Sequence, residues 1–306
     1  MGSERPAVPD RFRAALEACA AGSLAPNVAL LRLAMAATGP GEVEAALVAA
    51  RDVESGDGAG RLGGALALWR ANPQAFGTVK AVLGGVEHGG EGHGGDGADA
   101  ARALAGWADT FDRLAEAAPE GGVALYALGN PDLLRAATAE VVARLGEWGL
   151  AREGARVLEV GCGIGRLAAA LAPRVGHVTG LDISPGMVAQ ARARCAGLPN
   201  VVLAVSGGRD LAGQPDGAFD AVLAADVFPY LVQAGGGLAA RHVHEAARVL
   251  APGGQAAILN FSYRGDLARD REEVAALAAE AGLEVRRVAT GDFALWDAAT
   301  FLLGKP

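Results

Sequence analysis

The residues best placed to do chemistry lie in Val157-Leu-Glu-Val-Gly-Cys-Gly-Ile-Gly165 and the segment that follows, Arg166-Leu-Ala-Ala-Ala-Leu171. A short apolar run carries an acid, three glycines alternate with other residues, and an apolar helical pattern begins. Glycines at a strand-to-helix turn let the backbone approach a ligand, and the helix behind them offers unpaired N–H groups. The stretch therefore reads as a nucleotide-type binding turn. A dinucleotide fingerprint needs its third glycine at position 166, where this chain has Arg166; the third glycine is Gly165 instead. Glu159, two residues before Gly161, presents a negative group that suits a cationic or amino-bearing ligand better than a pyrophosphate. Seventeen residues after Gly165, a second apolar run ends in Asp182. An acid at such a strand end can accept both hydroxyls of a ribose. Its neighbours Ser184-Pro185 also read as a helix cap, and the two roles are compatible.

These residues need a frame. From Arg156 onward, short β-type runs alternate with helical ones. Strands are expected at 157–160, 178–181, 201–205, 221–224 and 255–259, with helices at 166–171, 185–195, 239–250 and 269–281. This alternation implies a doubly wound, mostly parallel sheet with helices on both faces. Two closing strands, 283–288 and 296–303, are joined by a short connection that only an antiparallel pair allows. The expected fold is an α/β seven-stranded sheet whose last strand is reversed.

The first part of the chain is different. Apolar positions recur at helical spacing over 10–21, 26–37, 42–53, 62–71, 73–83 and 99–117, without β alternation. Between them lies Gly84-Gly-Val-Glu-His-Gly-Gly-Glu-Gly-His-Gly-Gly-Asp-Gly97, polar and glycine-rich, which reads as a flexible linker. His88 and His93 do not have a zinc spacing. Tyr126-Ala-Leu-Gly-Asn-Pro131 reads as a turn into a helix reaching Trp148. The sequence is thus divided into an all-helical N-terminal domain, 1–118, and a ligand-binding domain, 119–306.

Composition narrows the function. The 306 residues are 51% hydrophobic and carry 27 Lys plus Arg against 35 Asp plus Glu, a formal charge of −8. No cluster of basic residues offers a path for a phosphate backbone, so nucleic acid is disfavoured as a partner. Cys19, Cys162 and Cys195 are odd in number and far apart, which supports neither a disulfide framework nor a metal site. Met1-Gly-Ser-Glu-Arg-Pro is too polar for a secretory signal, and the apolar segment 28–37 is short and contains Arg32, so no membrane span is expected. The expected location is the cytoplasm.

Four segments, "VLEVGCGIG" (157–165), "VTGLDISPGMV" (178–188), "AFDAVLAADVFPYL" (218–231) and "HEAARVLAPGGQAAILNFS" (244–262), stand in the order and spacing of the class I S-adenosylmethionine-dependent methyltransferases, a family that 155–303 resembles. The resemblance implies S-adenosylmethionine as cofactor. It implies that Gly161, Gly163 and the nearby backbone of Cys162 and Gly165 pack against the methionine part, and that Glu159 orients its amino group. It further implies that Asp182 holds the ribose hydroxyls, Ile183 lies on the adenine face and Met187 lines the adenine pocket. Many members place an acid after the third strand; here that position is Gly207, so Gly208 and Arg209, or Asp210, take over the adenine contact. Asp226 is expected to border the cofactor and Tyr126 to close over it.

Methyl transfer is a displacement at an activated sulfonium, so alignment matters more than a dedicated catalytic residue. Asp226-Val-Phe-Pro-Tyr230 has only a partial likeness to the Asp-Pro-Pro-Tyr of amino-group methyltransferases, interrupted by Val-Phe. Phe228 and Tyr230 are candidate walls of the acceptor pocket. Tyr263 and Arg264 are candidate substrate contacts, Arg264 for a carboxylate or phosphate. The sequence thus points to methylation of an oxygen or nitrogen nucleophile on a small molecule and leaves room for a homodimer. The alternatives are a cofactor-binding regulator or non-methylating enzyme, and a nicotinamide oxidoreductase, against which the displaced third glycine argues.

Overall fold

The structure is a computed structural model that describes residues 8–87 and 97–306. His88, His93 and most of the glycine-rich stretch lie outside the described residues. By contacts, the chain forms two compact units: one comprises residues up to Gly84 with Glu120–Ala137 and Ala294–Asp297; the other comprises Gly85–Pro119, Thr138–Phe293 and Ala298–Pro306.

The first unit holds α1 (Asp10–Ala21), α2 (Pro26–Ala36), α3 (Pro40–Val53), α4 (Gly56–Ala71) and most of α5 (Ala75–Glu87). Prolines start α2 and α3, where a missing N–H costs nothing. Gly22 ends α1 in a left-handed conformation, with its N–H bonded back into the helix. Phe12, Leu16, Leu30, Leu33, Leu47 and Leu62 form the buried interior.

Two distant pieces of chain are fastened to α2. The amide nitrogen of buried Asn27 donates to the Tyr126 carbonyl at 2.9 Å and to the Leu295 carbonyl at 2.8 Å. The Tyr126 ring stacks on Trp296, with centroids 5.1 Å apart and planes inclined by 17°. Trp296, expected within the last strand, therefore lies outside it: its stacking on Tyr126 draws 294–297 away, and the strand begins at Thr300.

The second unit is the expected sheet. Its strands are β1 (Arg156–Val160), β2 (His177–Asp182), β3 (Val201–Val205), β4 (Phe219–Ala225), β5 (Leu250–Leu259), β6 (Glu284–Ala289) and β7 (Thr300–Gly304), in the order β3-β2-β1-β4-β5-β7-β6. β1 to β5 pair in parallel, and β7 runs antiparallel to both β5 and β6. Strand order reverses between β1 and β4, which puts the ligand crevice at their carboxyl ends. Leu158, Val222, Ile258, Phe301 and Leu303 belong to one apolar core with Phe228, Val243, Phe261 and Val274.

The sheet's helices are α8 (Pro131–Glu147), which enters this unit at Thr138, α9 (Arg166–Leu171), α10 (Pro185–Arg194), α11 (Phe228–Ala234), α12 (Leu238–Val249) and α13 (Leu267–Glu280). A short α7 (Pro119–Val123) and α11 were not expected from the sequence. Helix α6 (Gly97–Ala117), which the sequence grouped with the preceding helices, packs with this unit. Asp112 accepts from the Ser184 hydroxyl and from the Gly186 N–H at 2.8 Å. Trp107 and Phe111 meet Tyr230 edge-on, at 4.7 and 5.3 Å between centroids. No helix of the described residues is long and apolar enough to cross a membrane.

Asn27→Leu removes both fastening bonds and is expected to destabilise the protein by about 2 kcal/mol in denaturant unfolding. Arg32→Ala breaks only the half-exposed pair with Asp297 and is expected to cost under about 0.5 kcal/mol.

Candidate functional site

The turn after β1 is built by backbone conformation. Gly161, Gly163 and Gly165 have φ of 70°, 51° and 72°, a region that side chains disfavour. Space enforces glycine as well. A Cβ on Gly161 would stand 2.2 Å from Val227 Cγ2, and one on Gly165 would stand 2.9 Å from Ala191 Cβ on α10. The third glycine thus serves helix packing, and the loop after β4 rests directly on the turn.

Asp182 braces this turn. Its carboxylate accepts from the Gly163 N–H at 2.8 Å and from the Ser184 N–H at 2.9 Å. These donors do not exhaust the four acceptor sites of a carboxylate, so capacity for a diol remains. Burial raises the Asp182 pKa against the pull of those N–H groups. Ser184 caps α10 by accepting from the Met187 N–H at 3.0 Å. Bracing was not foreseen from the sequence, because it depends on a loop nineteen residues away in the chain.

Glu159 is 2% exposed, and its Oε2 has no hydrogen-bond partner. Burial pushes its pKa up to about 8; the nearby Arg166 guanidinium opposes the shift and Asp182 adds to it. Arg166, at the position where a dinucleotide site has glycine, is itself buried and donates to Thr138 Oγ1 at 3.1 Å. Its service as counter-charge was not foreseen. Cys162 and Cys195 are buried thiols whose pKa values are raised by burial and by Glu159, which makes them inert packing groups beside the glycines.

Ile183 is half-buried and faces Gly208, where a Cβ would stand 2.9 Å from Ile183 Cγ2 and 3.2 Å from Leu104 Cδ2 on α6. Met187 is 1% exposed and belongs to the core face of α10. Arg209 is exposed. Tyr126 is a buried packing residue of the helical unit.

At the carboxyl ends of β4 and β5, Asp226 and Asn260 both adopt left-handed backbone, with φ of 57° and 65°. Asn260 Nδ2 donates to Asp226 Oδ1 at 2.7 Å, and the Tyr263 hydroxyl donates to the same oxygen at 3.0 Å. Asn260, which the sequence reading passed over, is signalled only by its place at a strand end.

Two expected substrate contacts sit otherwise. Phe228 is buried in the core against Phe261, 5.7 Å between centroids, because its place at the start of α11 turns it under the sheet's carboxyl edge. Arg264 is held by Asp270 at 2.6 Å, Glu273 at 2.7 Å and the Ser262 hydroxyl at 3.0 Å, so its guanidinium is committed inside the loop. Tyr230 is half-buried between Trp107, Phe111 and Tyr263. His242 and His244 bond helix carbonyls of α12, and no group of three metal-ligating side chains occurs among the described residues.

Residues 157–254 match a family profile described as a methyltransferase domain. Over these residues the chain is similar to methyltransferase domains. The chain is 34% identical over 153 residues to a demethylmenaquinone methyltransferase of Tropheryma whipplei (strain Twist), covering 50% of this chain and 58% of that protein. It is 36% identical over 105 residues to a ubiquinone biosynthesis O-methyltransferase of Xanthomonas oryzae pv. oryzae (strain PXO99A), covering 33% and 41%. The chain spans about half the length of the first of these curated relatives. A solved S-adenosylmethionine-dependent methyltransferase from Aquifex aeolicus aligns with a TM-score of 0.43 at 26% identity, covering 57% of this chain and 92% of that one.

The residues fit S-adenosylmethionine, the cofactor that the sequence resemblance implies. The unpartnered Glu159 oxygen suits an ammonium group, the glycine turn leaves room that Cβ atoms would fill, and Asp182 retains acceptor capacity.

A carboxyl that is neutral up to about pH 8 must ionise to hold an ammonium. Binding of S-adenosylhomocysteine should therefore release a proton and tighten as pH rises toward about 8, measured by calorimetry in buffers of different ionisation enthalpy. Glu159→Gln is expected to abolish that pH slope and weaken binding by about tenfold. The same folded pKa, raised from 4.5, means that stability is lost as pH climbs from 4.5 through about 8, so the variant without ligand should melt above wild type at pH 8.5. Gly161→Ala is expected to cost about 2 kcal/mol, and Val227→Ala in the same chain should recover the steric part but not the φ strain, read as thermal midpoints.

Proposed function

We propose that this chain transfers the methyl group of S-adenosylmethionine to an oxygen or nitrogen nucleophile of a small molecule. The observation that carries the reading is the buried Glu159 oxygen without a partner, set beneath a left-handed glycine turn that Asp182 braces. A buried carboxylate with an unpaired oxygen is costly unless a ligand repays it.

S-adenosylmethionine, when bound, supplies a methyl group on a sulfonium already activated toward displacement. The chain's own residues have the tasks of holding and aligning. Glu159 would hold the amino end, Asp182 would hold the ribose hydroxyls, and the backbone of Gly161 to Gly165 would take the methionine part. Ile183, with Gly208 behind it, offers an apolar surface to the adenine. The edge-on aromatic group of Trp107 and Phe111 with Tyr230, which follows the end of β4, would keep water from the reacting atoms. Alignment and water exclusion are the main sources of rate for such a displacement. The net charge of −8 and the relatives named above support a small molecule as acceptor.

The full chain incubated with methyl-tritiated S-adenosylmethionine and a panel of catechols, hydroxyquinones, amines, transfer RNA and duplex DNA should label a small molecule. Label appearing in the nucleic acids overturns the acceptor class. Tight S-adenosylhomocysteine binding with no label anywhere overturns transfer in favour of a cofactor-binding protein that does not methylate.

A further inference from the structure

Asp226 and Asn260 form a pair of left-handed residues just beyond the ends of β4 and β5. Aspartate and asparagine tolerate this backbone better than most residues, but it still carries strain, and such strain gathers at functional sites. Each orientation is fixed. The Asn260 side-chain oxygen accepts from the Ala299 N–H at 2.9 Å, and the Asn260 N–H donates to the Ala299 carbonyl at 2.8 Å. The Asn260 amide is thereby turned so that its NH₂ faces Asp226, and Asp226 Oδ1 receives it at 2.7 Å. Asp226 is thus set as an acceptor, with its own N–H on the Leu259 carbonyl at 2.9 Å.

Tyr263 completes the arrangement. Its hydroxyl donates to the same Asp226 oxygen, while the residue as a whole is 61% exposed. A hydroxyl that donates to a carboxylate keeps two lone pairs; the neighbouring Tyr230 hydroxyl engages the Tyr263 oxygen, which leaves one lone pair for a group that approaches the exposed ring. The ring stands edge-on to Tyr230 at 6.0 Å, and Tyr230 in turn meets Trp107 and Phe111. Val227, next to Asp226, is the residue seated against Gly161, so this carboxylate is one residue away from the cofactor turn. Tyr230 also faces Asp226; burial first, and then the charge of Asp226, raise the pKa of both tyrosines, so each stays protonated at neutral pH.

We propose that Asp226 and Tyr263 form a proton relay that accepts the hydroxyl proton of a methyl acceptor of the phenol or enol class, with Asn260 as a positioning residue. The inference rests on the function proposed above. A phenol is mostly neutral at pH 7 and a poor nucleophile until its proton leaves. As the acceptor oxygen attacks, its proton passes to Tyr263 Oη and the Tyr263 proton passes to Asp226 Oδ1. The oxygen lone pair forms the new O–CH₃ bond, the S–CH₃ bond breaks with its pair remaining on sulfur, and Asp226 later returns the proton to water. The positive charge of the sulfonium and the negative charge of Asp226 vanish together. The planar aromatic surroundings suit a flat ring as the bearer of that hydroxyl.

The test uses 4-nitrocatechol, whose visible absorbance separates its protonated and ionised forms, with the full chain loaded with S-adenosylhomocysteine. The Asp226 charge opposes an anion beside it, so the bound probe should stay protonated to about one pH unit above its free midpoint. Asp226→Asn should abolish that shift, and Tyr263→Phe, which removes only a hydroxyl, should remove at least half of it. With S-adenosylmethionine in place of its demethylated form, methyl transfer to the probe should fall about 100-fold in Tyr263→Phe. An unshifted midpoint, a shift that both variants keep, or transfer by Tyr263→Phe at the wild-type rate overturns the relay. A probe that neither binds nor accepts methyl overturns the phenolic class. Failure to bind S-adenosylhomocysteine instead strikes the function itself, before any probe is added.

Discussion

The bonds made by Asp182 are the constraint on which the site depends. By taking the Gly163 and Ser184 N–H groups, this one carboxylate joins the glycine turn after β1 to the end of β2. Ser184 continues the chain of dependence, capping α10 and donating to Asp112 on α6. Two helices and two strand ends are therefore referenced to a single side chain. Hydrogen bonds between an ionised carboxylate and backbone N–H groups are among the stronger polar contacts in proteins, and they are directional. The same residue that a ligand's ribose would engage is the one that keeps the turn in shape.

Glu159 works by the opposite logic. Where Asp182 is satisfied, Glu159 is left short, with one oxygen buried and unpaired and Arg166 softening the cost. A protein can carry such a group only because stabilisation elsewhere exceeds it. The apolar core formed by β1, β4, β5 and β7 with α11 to α13 supplies that surplus in this unit. An acid bonded to two backbone N–H groups and an acid with an unpaired oxygen thus stand near the carboxyl ends of β2 and β1.

Much of this was legible in the sequence because it is local. The β1 turn shows itself through glycines that backbone geometry demands, and the strands from 156 to 259 show themselves through short apolar runs between helical ones. The reversed last strand followed from the length of a connection. What stayed hidden depends on partners far along the chain. Nothing near Trp107 or Phe111 announces Tyr230, so α6 read as one more N-terminal helix. Arg264 looked available because Asp270 and Glu273 fold back upon it only once α13 is in place. Phe228 read as a pocket wall because a seven-residue helix was taken for a loop. Trp296 read as a strand residue because its stacking partner lies 170 positions earlier, at Tyr126.

The fork at Asn27 has a consequence for how the chain is made. One of its carbonyl partners, Leu295, is 268 residues downstream. Helices α1 to α4 leave the ribosome well before the piece that closes the unit they form. Because synthesis proceeds at roughly 5–20 residues per second, those helices wait some tens of seconds for their final segment. They wait with α2 lacking a partner for its buried amide, while β1 to β6 are synthesised in the interval. No continuous fragment of the gene encodes either unit, so trimming the protein to its sheet would delete neither a tail nor a tag but one half of an interleaved pair.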